Sequence, residues 1–218
     1  MPKTKTWESM ETALVPRWDD ALWVRGSTYA VLAWAFAYPE QETVEYLRGC
    51  AEEISGEDET VARLRDVLED VKSLDEEELQ RQHTALFNPS GGLVPHELNY
   101  REFQDAFARA QELADIRGFY RAFGVKPTQE RCDHVTAELG FMHYLVVKEK
   151  YAEHEQSAAN AEQCRQARGK FFREHLNKWI PSFIEEVRAC ADESAAPFYV
   201  QLTEVLNIFM RSEREDLL

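Results

Sequence analysis

Apolar residues recur every three or four positions along most of this chain, a period that only helices packed on helices can bury. Val44, Leu47, Ala51 and Ile54 form one such stripe, and Val61, Leu64, Leu68 and Val71 form the next. A strand would need alternation, and no alternating run stands out. Glycine and proline, 9 and 8 among 218 residues, are too sparse for a turn-dense β fold. The pattern predicts an all-α chain forming a single globular domain of about nine helices. No internal repeat is present.

The punctuation sharpens this. Asp19 and Asp20 precede a strongly apolar helix to about Ala37, closed by Tyr38-Pro39. Asp75 caps a helix whose first turn carries Glu76, Glu77 and Glu78, acids that suit a helix N-terminus. That helix ends near Phe87, and residues 88–97 form the one long break. Helical pattern resumes near Leu98 and runs to about Phe123, carrying Phe103, Phe107, Ala110 and Ala114, with Gly124 just past its end. Asp133 reads as the N-cap of a long helix with Val135, Leu139, Met142 and Val146 inward. Two further patterns cover Gln163–Lys178 and Ser182–Cys190, with Pro181 in the first turn of the latter. The last helix carries Phe198, Leu202, Val205, Leu206 and Phe209. Residues 1–18 are expected to be a flexible extension and 19–212 the helical domain.

Charge narrows the partners. The 40 acidic residues outnumber the 25 basic ones, giving a net charge of −15. Nucleic acid and anionic membrane surfaces are therefore poor partners. Residues 40–80 alone hold 15 acids and 4 bases. They form either solvated helix faces or a surface that steers a basic peptide. No apolar run approaches the ~20 residues of a membrane span. The N-terminus lacks the apolar stretch of a secretory signal, so the expected location is the cytoplasm, with no stable membrane insertion. The cysteines at 50, 132, 164 and 190 make no Cys-x-x-Cys, as expected of idle thiols in a reducing compartment.

Catalytic and metal patterns are missing. No Glu lies three residues before any of the six histidines, and His-Glu-x-x-His is absent. Gly91-Gly92 lacks the Lys-Ser/Thr of a phosphate loop, and there is no Gly-x-Ser-x-Gly. These absences point away from an enzyme and from any metal or cofactor. A small-ligand or nucleotide-binding helical enzyme is the alternative. Within Asp133-His134-Val135-Thr136-Ala137-Glu138, the i, i+4 spacing sets Glu138 beside His134, where it would raise the histidine's pKa. This is either a cap with a surface ion pair or a polar binding hot spot. The aromatics Trp23, Trp34, Phe36 and Tyr38, with Phe103, Phe107, Phe119, Tyr120 and Phe123, belong to the core or line a groove for an apolar peptide helix.

Two stretches resemble a known family. Leu86-Phe87-x-Pro89-x-Gly91-Gly92-x-x-Pro95-x-Glu97-x-x-Tyr100 is similar to the central loop of the TorD/DmsD/NarJ chaperones. Glu130-Arg131-Cys132-Asp133-His134-x-x-x-Glu138-Leu139-x-Phe141-Met142 resembles that family's Pro-Asp-His-x-x-x-Glu-Leu-x-Phe-Met signature. Leu113-Ala114-Asp115-x-x-Gly118-Phe119-Tyr120, Phe172-x-x-x-His175-Leu176-x-x-Trp179-x-Pro181-x-Phe183 and Phe198-Tyr199 extend the likeness over roughly residues 25–210. Cys132 stands where the family usually has proline, and Leu98 where a small polar residue is usual. The resemblance implies a TorD-like, cofactor-free cytoplasmic chaperone, monomeric or a domain-swapped dimer. Its partner would be a molybdoenzyme catalytic subunit and its twin-arginine signal peptide, held back from export until molybdopterin is inserted. It puts the binding site on Leu86, Phe87, Pro95, Glu97, Tyr100, Asp133, His134 and Glu138. The stretch from Leu113 to Val125 is most similar to members serving molybdenum enzymes of nitrate-like oxyanions, sulfides or hydrocarbons.

Overall fold

A computed structural model describes residues 16–87, 92–126, 131–190 and 196–218. Among them stand nine α-helices: α1 (Ala21–Ala35), α2 (Gln41–Glu53), α3 (Glu59–Ser73), α4 (Glu76–Leu86), α5 (Ala106–Ala122), α6 (Val135–His154), α7 (Ala158–Phe171), α8 (Asn177–Cys190) and α9 (Pro197–Leu217). A 3-10 turn covers Glu97–Asn99, and a π turn, Phe172–Leu176, joins α7 to α8. The described residues contain no strand, only an isolated antiparallel bridge between His96 and His134. Asp20, Asp58, Asp75 and Asp105 each accept first-turn N–H groups, so four helix starts are capped at about 1 kcal/mol apiece.

The core is held by α1, α6, α7, α8 and α9. In α6, 12 of 20 residues are buried, on nearly every face, and α1 buries 9 of 15. These two helices cross where Gly26 leaves no room, since a Cβ there would stand 2.7 Å from Val146 Cγ1. Trp179, Phe183, Phe171, Phe172, Tyr29 and Phe209 fill the centre. Of the expected extension, residues 1–15 lie outside the described residues. Arg17 is seated on α1, its N–H donating to Ser27 Oγ at 2.8 Å.

Three expectations are corrected. The helix expected from Leu98 starts at Ala106, because Asp105 caps it and Glu97–Asn99 closes a separate turn. Its stripe is also different: Phe107 is 70% exposed, and Ala110 and Ala114 face solvent, while Ile116 and Tyr120 alone are fully buried. Pro181 is the fifth residue of α8 rather than the opening of a new helix, and helix runs from Ala158 to Cys190 through the π turn. Burial of Trp179, Ile180, Phe183, Ile184 and Val187 outweighs the ~3 kcal/mol that an interior proline costs. The α5 terminus behaves as expected. Gly124 has φ +72°, its N–H bonds Arg121 O at 3.0 Å, and Val125 N–H bonds Tyr120 O at 2.8 Å, a Schellman closure.

Candidate functional site

The two motif stretches meet. Glu97 N–H donates to Asp133 O at 2.8 Å and Val135 N–H to Pro95 O at 2.9 Å, which sews the central loop to the start of α6. Asp133 is not the N-cap. Its side chain is fully buried, receives Arg131 through two N–H groups at 3.0 and 2.8 Å, and stands 3.5 Å from His96 Nδ1. Burial pushes this carboxyl up, but His96 and Arg131 outweigh it and hold the group well below the usual range. His134 is the cap instead, its Nδ1 accepting from Thr136 N–H at 3.2 Å. Its pKa is not raised by Glu138. Burial, with His96 beside it, pushes it down to about 3. The two rings meet edge to face at 4.9 Å.

Glu138 forms no surface pair with His134 either. It is fully buried and accepts Trp179 Nε1–H at 2.9 Å. Burial first, then neighbouring Glu97, drives its carboxyl well above the ordinary value, which favours the protonated form. Glu97 is also fully buried. It accepts from Arg101, and His175 Nδ1 lies 3.1 Å from its Oε2. The same Arg101 Nη1 bonds Glu112 of α5, and His175 Nε2 lies 3.2 Å from Asp115 of α5. Glu97, Glu112 and His175 bring three possible ligand atoms within 4.8 Å of one another. The guanidinium of Arg101 already serves both carboxylates as their cation. Tyr100 lies against Trp179 and Phe183, at 5.5 and 5.7 Å between ring centres. Leu98, buried, explains an apolar residue at its position.

The surface of this region is aromatic. Leu86 and Phe87 close α4, and Leu93 N–H returns to Leu86 O at 2.7 Å. Phe87 packs edge-on to His83 at 4.8 Å and to Tyr199 at 5.3 Å. His83 also meets Tyr38 at 5.3 Å and Tyr199 at 5.6 Å. Burial pushes the His83 ring down to about 4, so it is neutral, and it is near enough to bear on His134. Tyr38 is 48% exposed and forms the open wall. Tyr199 is fully enclosed, yet its hydroxyl has no hydrogen-bond partner among the described residues. An enclosed hydroxyl without a partner is unusual in a protein interior.

The eight expected site residues therefore gather in one region but differ in kind. Glu97, Asp133 and Glu138 are buried struts, and Pro95 is buried with them. His134 and Tyr100 are partly exposed, and Leu86 and Phe87 form the floor beside Tyr38. The motif positions Pro89, Gly91 and Glu130 lie outside the described residues. Sequence reading missed Tyr38, His83 and Tyr199 as one cluster and Arg101, Glu112 and His175 as another. The i, i+4 spacing from His83 to Phe87 was the one available signal. A separate cavity of about 260 Å3 opens between α1, the α2–α3 turn and α9, and none of the eight residues lines it.

The model of the nitrate reductase delta subunit family matches residues 52–185. Three curated relatives are similar. A perchlorate reductase assembly chaperone protein of Dechloromonas aromatica (strain RCB) is 36% identical over 109 residues, 49% of this chain and 46% of the relative. A selenate reductase assembly chaperone protein of Thauera selenatis is 27% identical over 62% of this chain and 69% of its own length. A chlorate reductase assembly chaperone protein of Ideonella dechloratans is 28% identical over 54% and 61%. The match thus spans about half of the first relative's length. The family match covers both the central loop and the Asp-His signature whose contacts are given above, and the chain belongs to the nitrate reductase delta subunit family.

Proposed function

We propose that this chain is a cytoplasmic assembly chaperone that binds the catalytic subunit of a molybdopterin-dependent oxidoreductase. It holds the subunit by its twin-arginine signal peptide until the cofactor is in place, and it performs no catalysis itself. The observation that carries this reading is the niche of Tyr38, His83, Phe87 and Tyr199, with its unpartnered hydroxyl at the foot of the family's loop. A guanidinium can lie on the exposed ring of Tyr38, and it can donate N–H to that hydroxyl once the side chains that enclose it have moved aside. The acidic helices α2–α4 favour the same charge. No helix among the described residues is long and apolar enough to cross a membrane. The named relatives assemble reductases of perchlorate, selenate and chlorate. The client is accordingly taken to be a reductase of an oxyanion.

Co-purification from the native cell, with identification of the bound protein, tests this directly. A molybdopterin enzyme subunit is expected, and a partner set without one would overturn the reading. Titration with a synthetic peptide of two adjacent arginines followed by an apolar run tests the niche. Replacing both arginines by glutamine should lower its affinity about tenfold or more.

A further inference from the structure

α5 is thinly seated, with only two of its 17 residues fully buried. The chain entering it, from Tyr100 to Asp105, is not helical, and Gly124 turns the chain on leaving. What ties α5 to the client loop is polar. Arg101 bonds Glu97 of the 3-10 turn and Glu112 of α5 through one nitrogen. His175, projecting from the π turn, faces Glu97 Oε2 with one ring nitrogen at 3.1 Å and Asp115 Oδ2 with the other at 3.2 Å. Each of these two side chains thus spans a carboxylate of the loop side and a carboxylate of α5. Phe119 of α5 covers the His175 ring at 5.5 Å.

We infer that Arg101 and His175 are positioning residues that couple the seating of α5 to the conformation of the client loop over residues 92–101. Neither reaches the aromatic niche, so each acts through Glu97, which the 2.8 Å bond to Asp133 O fastens to the start of α6. If α5 lifts, Arg101 loses Glu112, His175 loses Asp115 and also Glu112, which lies 3.6 Å from its Nδ1, and Glu97 loses the alignment that holds the turn. Coupling between sites is reciprocal, so a ligand that orders the loop must also press α5 down. The inference rests on the proposed function only in calling that loop the client's.

The test is amide hydrogen exchange on the full chain. Asp115 is half exposed, so Asp115→Ala should fold. It should speed exchange in 106–122 and also in 96–101, by about threefold to tenfold, the change in local opening expected from one lost charge-assisted hydrogen bond. Asp115→Asn, which keeps an acceptor for His175, should restore most of the protection. Faster exchange confined to 106–122 would overturn the coupling, as would failure of Asp115→Asn to rescue. In the second arm, the arginine-pair peptide should slow exchange in 106–122 of the wild-type chain and bind Asp115→Ala about threefold more weakly. If the peptide does not bind the wild-type chain, the client reading fails, while the exchange comparison still decides the coupling.

Discussion

Tyr199 shows most sharply how one residue can serve binding rather than folding. Its ring is packed on Phe87, Phe198 and His83, but its hydroxyl is enclosed without a partner among the described residues. A hydroxyl left that way costs free energy in the folded chain. Tyr199→Phe keeps the ring contacts, so stability should rise, or stay within about 1 kcal/mol, by chemical denaturation. Affinity for the arginine-pair peptide should fall by ~1 kcal/mol or more by calorimetry, as for a polar hot-spot contact. Lower stability with unchanged affinity would assign the hydroxyl to folding. His134 needs a different comparison because it caps α6. His134→Ala should cost about 0.5–2 kcal/mol, whereas His134→Asn retains a capping oxygen and isolates the ring's part in binding. Three histidines, His143 buried and His83 and His134 half-buried, resist protonation in the folded chain. His134 is pushed down to about 3, and His83 and His143 to about 4, each chiefly by burial. An unfolded histidine titrates near 6.5, so below that pH the unfolded chain takes up protons that the folded one refuses. Stability should therefore fall as pH drops from about 6.5 towards 4. Glu138 works the other way, since its raised folded value favours the protonated form and its penalty shrinks as pH falls. Melts at pH 6.5 and 4.5 should show the net loss. His143→Gln, which keeps a donor for Gly26 O, should recover a few kcal/mol of it at most, and an unchanged slope would remove His143 from the account.

At the level of elements, the α1–α6 crossing depends on Gly26. Gly26→Ala sets a Cβ 2.7 Å from Val146 Cγ1, so it should cost roughly 1–3 kcal/mol, and Val146→Ala should relieve much of that in the double variant. Additive losses would show that the crossing adjusts elsewhere. The same crossing explains what could and could not be read from sequence. The stripes of α2 and α3 were legible because each helix buries one face and exposes the rest. α6 buries nearly every face, so no spacing within it distinguishes a surface glutamate from a buried one. Glu138 consequently looked like a partner for His134, although its partner is Trp179, 41 residues away. α5 was misread for the opposite reason. Phe103, Phe107, Ala110 and Ala114 fall at helical spacings, but Leu98 before them belongs to the 3-10 turn and Phe107 to an exposed face. The start of α5 is set by Asp105, whose side chain takes the Ala108 N–H at 2.8 Å. The motif residues lie in one region because Glu97 N–H bonds Asp133 O and Val135 N–H bonds Pro95 O. Their division into struts and surface depends on contacts from α8 and α9, which no local pattern records.

Across the whole molecule, the excess of acid is concentrated rather than spread. The run from 40 to 80 occupies α2, α3 and the start of α4, and most of its carboxylates, among them Glu42, Glu45, Glu52, Glu53, Glu69 and Glu77, are exposed. Asp58 and Asp75 cap helices, Glu59 meets Arg211 and Asp70 meets Gln201, while the other exposed carboxylates act as a field more than as contacts to the rest of the fold. This field adjoins the niche, because Tyr38 leads directly into α2, and Gln80 of α4 donates to Pro39 O at 3.1 Å. A peptide bearing two arginines should therefore be drawn in by long-range attraction and then retained by short-range contacts. The two contributions separate in kinetics. Raising salt from about 0.1 to 0.5 M shortens the Debye length from ~10 Å to under ~5 Å. The association rate of the peptide should then fall by about tenfold, while its dissociation rate changes far less. Glu42→Gln, Glu45→Gln and Glu77→Gln combined should flatten that salt dependence without moving the melting temperature by more than a few degrees, since all three side chains are solvated. Stopped-flow traces at two salt concentrations on both proteins make the comparison. An association rate indifferent to salt would mean that the acidic helices serve solubility alone and that the niche recruits its ligand by contact.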